Sequence, residues 1–278
     1  MLLMKGERSI NRILISTMPR SGTIFFFDFI AALFGFERLV PTFTGGFRPV
    51  PPEWDPYKFD RTYLSLKDGQ VICAHYHLNQ EIRSQLESDE LLGIYLYRDP
   101  RDVAVSAALY IKYALTHQFL HPLFTKLTEA EAVALMLSGG IIPVNDLPYE
   151  TDGKGAPYVI YSGMRYYCDI SYPWLLPPMV AKIRYEDFTK NPVETLTRSF
   201  SMVGVEVSEK DLAVLAKEKN FTSATGGRSI GIEDKTSHFR KGIVGDYKNY
   251  FTDLHRAICK LYIGEDLIRL GYEKDYNW

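Results

Sequence analysis

Cysteine is scarce and scattered. Cys73, Cys168 and Cys259 form no CxxC pair, so neither a zinc framework nor a disulfide scaffold is on offer, and a reducing compartment fits. A surplus of one charge is also missing. Lys plus Arg number 32 against 34 Asp plus Glu, a formal net charge of −2, which removes the bulk attraction on which a dedicated nucleic-acid binder relies. Any anion must be met by a local cluster. The most apolar early stretch, Ile24 to Phe36, is broken by Asp28 and is too short to cross a bilayer. The first residues, Met1 to Glu7, lack the apolar segment and small-residue cleavage site of a secretory signal. These absences predict a cytoplasmic protein with neither a nucleic-acid nor a membrane partner. No repeat, low-complexity tract or Gly/Ser linker divides the chain, which predicts one domain over residues 1–278.

What is present suits a large core: 46% of the residues are hydrophobic and 14% aromatic. The aliphatic run Asn11 to Thr17 reads as a strand that ends in the loop Met18-Pro19-Arg20-Ser21-Gly22-Thr23 and continues into an apolar helix. A second such unit has Leu92 to Tyr97 as strand, Arg98 to Asp102 as turn and Val103 to Ala114 as helix, with Pro100 suited to the first helical turn. Val71 to Ala74 and Met179 to Arg184 are further strand candidates. Strands alternating with helices predict an α/β fold, a parallel sheet covered on both faces. Two irregular segments, Pro41 to Asp60 and Ser138 to Pro157, read as binding loops or lids.

Three places could hold an anion. At Arg20, Ser21, Gly22 and Thr23, free backbone N–H groups, the helix dipole, two hydroxyls and a cation converge, although a lone SGT is more often an ordinary capped turn. The GxxxxGK[ST] spacing of a Walker A loop is absent. Arg98, at a strand end, and Ser106, about two helical turns on, could grip one anion; taken alone, Arg98 and Asp99 read as a surface ion pair or an N-terminal charge for the helix. Arg240 and Lys241 stand beside Gly242 and Gly245, which allow close backbone approach, in what could equally be a solvated basic loop.

Taken together, these segments resemble the sulfotransferases that use 3′-phosphoadenosine 5′-phosphosulfate (PAPS). Thr17 to Thr23 is similar to that family's 5′-phosphosulfate loop, Tyr97 to Ser106 to its 3′-phosphate motif, Arg184 to Phe188 to its YED segment, and Phe239 to Thr252 to its RKGxxGDWKNxFT signature. The resemblance implies a P-loop-like α/β fold, PAPS as co-substrate, no metal, and transfer of a sulfuryl group to a hydroxyl or amine of a small-molecule acceptor. By that resemblance Arg20 to Thr23 hold the 5′-phosphosulfate. Arg98, Ser106, Arg240, Lys241 and Gly242 meet the 3′-phosphate, and Phe221 contacts adenine, its alternative being a core phenylalanine. The family's Lys-Thr-His-Leu-Pro segment aligns with His75-Tyr76-His77-Leu78-Asn79, which points to His77 as general base and His75 as a supporting donor. Alternation along the chain places both on one face and leaves the choice between them open.

The departures are specific. The loop lysine of cytosolic members is Arg20, as in many bacterial and Golgi-type members, and the lysine before the histidine is His75. Phe25 or Phe26 and Tyr247 stand for tryptophans. The family's dimer motif is not kept at Lys248 to Ala257, where Asp253 and Ala257 replace an apolar and an acidic residue, so the oligomeric state stays open. The bacterial-type loop suggests tailoring of a soluble secondary metabolite. Rival readings are a P-loop-like kinase, disfavoured because no paired carboxylates for magnesium stand out, and a catalytically silent nucleotide-binding protein.

Overall fold

The computed structural model describes residues 10–39, 62–87, 91–116, 120–143 and 158–278. Strand β1 (Arg12–Thr17) leads into helix α1 (Thr23–Phe34) and the short strand β2 (Glu37–Leu39). Then follow β3 (Gln70–Ala74), α2 (Gln80–Leu86), β4 (Leu91–Tyr97), α3 (Pro100–Tyr113), α4 (His121–Lys126) and α5 (Glu129–Ser138). Next come β5 (Gly140–Pro143), β6 (Tyr158–Tyr161), α6 (Gly163–Leu175), β7 (Val180–Arg184), α7 (Tyr185–Lys190) and α8 (Pro192–Ser201). The chain finishes with α9 (Glu209–Glu218), the single turn α10 (Phe221–Ala224) and α11 (Asp253–Arg269).

The described residues form two compact units. One comprises those before Asp99 together with Ile170–Ile230; the other comprises those of Asp99–Asp169 and Gly231–Trp278.

The first unit is built on a five-stranded sheet, order β2-β3-β1-β4-β7, parallel throughout. Alternation explains why its strands read as unbroken apolar runs. Ile13, Ile15, Cys73, Ile94 and Ile183 face a core shared with Phe26 and Phe29 of α1, Phe188 of α7 and Phe200 of α8. Leu14, Ile72, Tyr95 and Val180 face a second core with Ile82 of α2 and Trp174 of α6. Both faces of the parallel sheet are covered by helices, as the strand and helix pattern predicted. Strand β2 escaped the sequence reading, being three residues long with two of them charged.

The strand order reverses at β1, which has β3 on one side and β4 on the other. At such a switch point the connections leave in opposite directions and open a crevice beyond the carboxyl ends of the strands. The loop after β1, the residues after β3 and Arg98 after β4 all emerge at that edge.

The second unit packs α3 on α5 and α5 on α11, and seats the turn Asp246–Asn249 against α3. Helix α3 begins at Pro100, inside the stretch read from sequence as a turn before a helix at Val103: the Asp99 carboxylate accepts the N–H of Arg101, and Pro100 occupies the first turn, as its fixed φ suggested, where no N–H is needed. Of the two irregular segments, Pro41 to Asp60 lies outside the described residues, as does 144–157. The described part of the second corrects the reading, since Gly140–Pro143 is a strand paired antiparallel with Tyr158–Tyr161. All three cysteines are free and buried. Among the described residues, no helix is long and apolar enough to cross a membrane.

Candidate active site

The loop between β1 and α1 is held in shape from inside. The Ser21 hydroxyl is fully buried and donates to the Met18 carbonyl at 2.7 Å, and the Met18 N–H donates to the Leu96 carbonyl at 2.9 Å. Ser21 therefore spends its hydroxyl proton within the loop. Arg20 takes a left-handed conformation, φ 63°, unusual for a residue with a side chain. Gly22 follows at φ 82° and forms the N-cap of α1 without any side-chain cap, so the first-turn N–H groups of the helix have no intrahelical acceptor. Glycine is required at that position twice over: a Cβ would meet Cε2 of Tyr185 at 3.0 Å, in a conformation that L side chains avoid.

Thr23, the first residue of α1, is joined to the strand beneath it. Its hydroxyl lies 2.9 Å from the Thr17 hydroxyl, which lies 3.0 Å from Nδ1 of His75. The same Nδ1 is 2.8 Å from the Thr17 carbonyl oxygen. His75 keeps part of its surface open to solvent, yet crowding by surrounding atoms costs it hydration. Its proton affinity is lowered, first by this desolvation and then by the Arg20 charge, against the raising effect of the Thr17 carbonyl. His77, half-buried two residues on, is likewise lowered by burial. Between them Tyr76 turns its ring into the second core.

Arg98 closes this edge from the β4 side. Its guanidinium donates to the Arg20 carbonyl at 3.1 Å and stacks over the Tyr185 ring at 4.5 Å. The structure thus brings together Arg20 to Thr23, His75 and Arg98, and adds Thr17 and Tyr185, to which motif reasoning gave no role. Both lay within motifs named from sequence, Tyr185 in the YED segment and Thr17 at the head of the loop segment Thr17 to Thr23.

Ser106, Arg240, Lys241 and Gly242 belong to the second unit. Ser106 is buried in α3. Arg240 and Lys241 both reach Asp246, at 2.5 and 2.8 Å, and Arg240 also pairs with Glu233. Burial raises the proton affinity of the Asp246 carboxyl, but hydrogen bonds from Lys241, Asn249 and Arg240 outweigh it and hold the group below its ordinary value. These cations are therefore an ordered ion-paired cluster and not the solvated loop of the bland alternative. Arg101, in the same motif as Arg98, is structural: buried, it pairs with Asp99 and Glu273 and lies over the Tyr247 ring at 4.4 Å.

Phe221 opens α10, half-buried and outside both cores of the first unit. With Lys217, Asn220, Thr222, Gly227 and Ile230 it lines an open cleft of about 590 Å³, and the Arg228 guanidinium sits 5.4 Å from its ring.

The sequence matches the sulfotransferase domain family over residues 11–271. This chain belongs to that family. No curated protein matches it significantly. The mouse sulfotransferase SULT7A1, solved in complex with PAP, has the same fold, with a TM-score of 0.61 at 20% identity over 92% of this chain and 84% of its own. Retinol dehydratase with androsterone and inactive cofactor PAP gives 0.53 at 17% identity, covering 92% and 80% of the two chains. The complex with retinol and PAP gives 0.54 at 16%, covering 93% and 82%. In this sulfotransferase domain, then, the loop after β1, the end of β3 and the end of β4 form the catalytic candidate. Arg98, read from sequence as a phosphate ligand only, also holds the Arg20 backbone.

Proposed function

We propose that this sulfotransferase moves the sulfuryl group of PAPS to a hydroxyl or amine of a small soluble acceptor, in the tailoring of a secondary metabolite. The observation that carries the reading is the loop from Arg20 to Thr23, whose left-handed backbone at Arg20 and Gly22 leaves the first-turn N–H groups of α1 without a side-chain cap at the switch point of the sheet. PAP in the complexes of SULT7A1 and retinol dehydratase supports the donor, and androsterone and retinol in the latter support a small-molecule acceptor.

In this reading Arg20, the loop amides and Thr23 stabilise charge as it develops on the phosphosulfate oxygens. Arg98, Ser106, Arg240, Lys241 and Gly242 recognise the 3′-phosphate, and Phe221 stacks on adenine. An imidazole of the His75 and His77 pair takes the acceptor's proton. No metal is required. The cytoplasm is the compartment assigned, because buried free thiols stay reduced there.

Calorimetry with PAP and ADP, followed by incubation of labelled PAPS with metabolite extracts, tests the reading. PAP should bind far more tightly than ADP, and label should appear on a small molecule. Preference for ATP with magnesium-dependent phosphate transfer would favour a kinase. PAP binding without transfer to any acceptor would favour a silent nucleotide-binding protein.

A further inference from the structure

The contact between His75 and Thr17 fixes which ring nitrogen carries a proton. A carbonyl oxygen can only accept, so Nδ1 of His75, 2.8 Å from the Thr17 oxygen, must donate. The lone pair of the neutral ring is then on Nε2, at the opposite edge. On the foundation of the PAPS-dependent reading above, we propose that Nε2 of His75 is the proton acceptor for the attacking hydroxyl or amine, and that Thr17 is the residue that positions it.

Three observations converge. The Thr17 hydroxyl reaches both Nδ1 of His75 and the hydroxyl of Thr23, so the imidazole is tied to the first residue of the helix that faces the anion. His75 remains exposed, whereas its Nδ1 edge is engaged by Thr17, which leaves Nε2 for an incoming group. With its one ring proton spent on Thr17, neutral His75 has only an acceptor to offer and cannot replace the donor that a lysine provides there. The lowered proton affinity keeps it in that neutral form near pH 7, Arg20 being the charged group that bears on it. In the step, the acceptor's O–H or N–H bond breaks and its proton passes to Nε2. The nucleophile's electron pair forms the new bond to sulfur as the bond from sulfur to the bridging oxygen breaks, and that electron pair leaves with PAP.

The test compares the full-length wild type with His75→Gln, His77→Gln, Thr17→Val and Thr17→Ser. The readouts are PAP affinity, transfer from labelled PAPS to a panel of phenols and aliphatic alcohols, with hydrolysis by water as the background reaction, and histidine ¹⁵N spectra. His75→Gln should bind PAP within about threefold of wild type and lose roughly 10²–10⁴-fold in turnover, while His77→Gln loses less than about tenfold. Thr17→Val keeps the backbone carbonyl and should keep the Nδ1-protonated signature of His75, while turnover falls because the hydroxyl tie between His75 and Thr23 is lost, and Thr17→Ser should restore turnover. Near-normal turnover in His75→Gln beside a dead His77→Gln, or a His75 spectrum protonated on Nε2 alone, would overturn the assignment and leave the donor reading intact. Failure of the wild type to bind PAP would instead overturn the donor reading, and the tautomer spectrum would still be read independently.

Discussion

Asp102 accepts the backbone N–H of Gly245 at 2.7 Å through one carboxylate oxygen, and that of Tyr247 at 2.9 Å through the other. The carboxylate, almost wholly buried at the start of α3, thereby pins the turn on both sides of Asp246, the residue that Arg240 and Lys241 grip. Removing it should release turn and cations together. Asp102→Ala strands two backbone donors, at about 2–4 kcal/mol in total, which lowers Tm by roughly 3–7 °C. Asp102→Asn keeps one acceptor and should lose less. Thermal unfolding checks both, and an unchanged Tm for Asp102→Ala would contradict this role.

Gly22→Ala meets two obstacles at once, a left-handed backbone and the Tyr185 ring at 3.0 Å. The backbone strain alone is worth about 1–2 kcal/mol. Because Gly22 caps α1, the strain falls on the first-turn N–H groups proposed to meet the phosphosulfate, so PAP affinity should drop by about tenfold or more. Adding Tyr185→Leu should recover only the steric part. Calorimetry with PAP on the single and double variants separates the two contributions.

The sheet was legible because parallel strands buried on both faces leave continuous aliphatic runs, as Ile13 to Ile15 and Leu92 to Leu96 show. The strand–loop–helix geometry after β1 was legible for a related reason: Arg20, Gly22 and Thr23 are local in sequence, and their placement follows from a strand turning into a helix. The link from Thr23 through Thr17 to His75 was not, since it joins residues 58 positions apart through the parallel pairing of β1 with β3. Pairwise register is invisible to a reading that treats segments one at a time. The same holds for Asp102, 143 positions from Gly245.

Arg98→Ala removes a buried guanidinium that donates to the Arg20 carbonyl and that the family resemblance places on the 3′-phosphate. A charge-assisted contact of this kind is worth about 1.5–3 kcal/mol, so PAP should bind about tenfold or more weakly. Measured against AMP, which lacks the 3′-phosphate, the variant should lose little. Equal losses for the two nucleotides would show that Arg98 acts by holding the loop and not by reading the 3′-phosphate.

Metal removal should leave transfer intact. In the proposed mechanism it is Arg20, Thr23 and the loop amides that take the part magnesium plays in phosphoryl transfer. Activity is to be measured after EDTA treatment and again after magnesium is returned. Abolition followed by rescue would move the protein toward the kinase reading.

The last prediction concerns acid. His75 must be neutral to take a proton, and its folded-state proton affinity lies below the ordinary histidine value of 6.5, chiefly through desolvation and further through Arg20. With PAPS saturating, kcat/KM for the acceptor should fall as the pH drops through that lowered value, on the acid side of the ordinary histidine range. Removing the Arg20 charge takes away one lowering cause. In Arg20→Gln the residual activity should therefore be smaller at every pH, because the loop cation is lost, while its acid limb moves to higher pH. Rate profiles from pH 4.5 to 8.5, about the span over which imidazole changes charge, decide the matter for both proteins. A limb that stays in place when Arg20 is neutralised would mean that the titrating base is not beside the anion loop, and would remove His75 from the reaction.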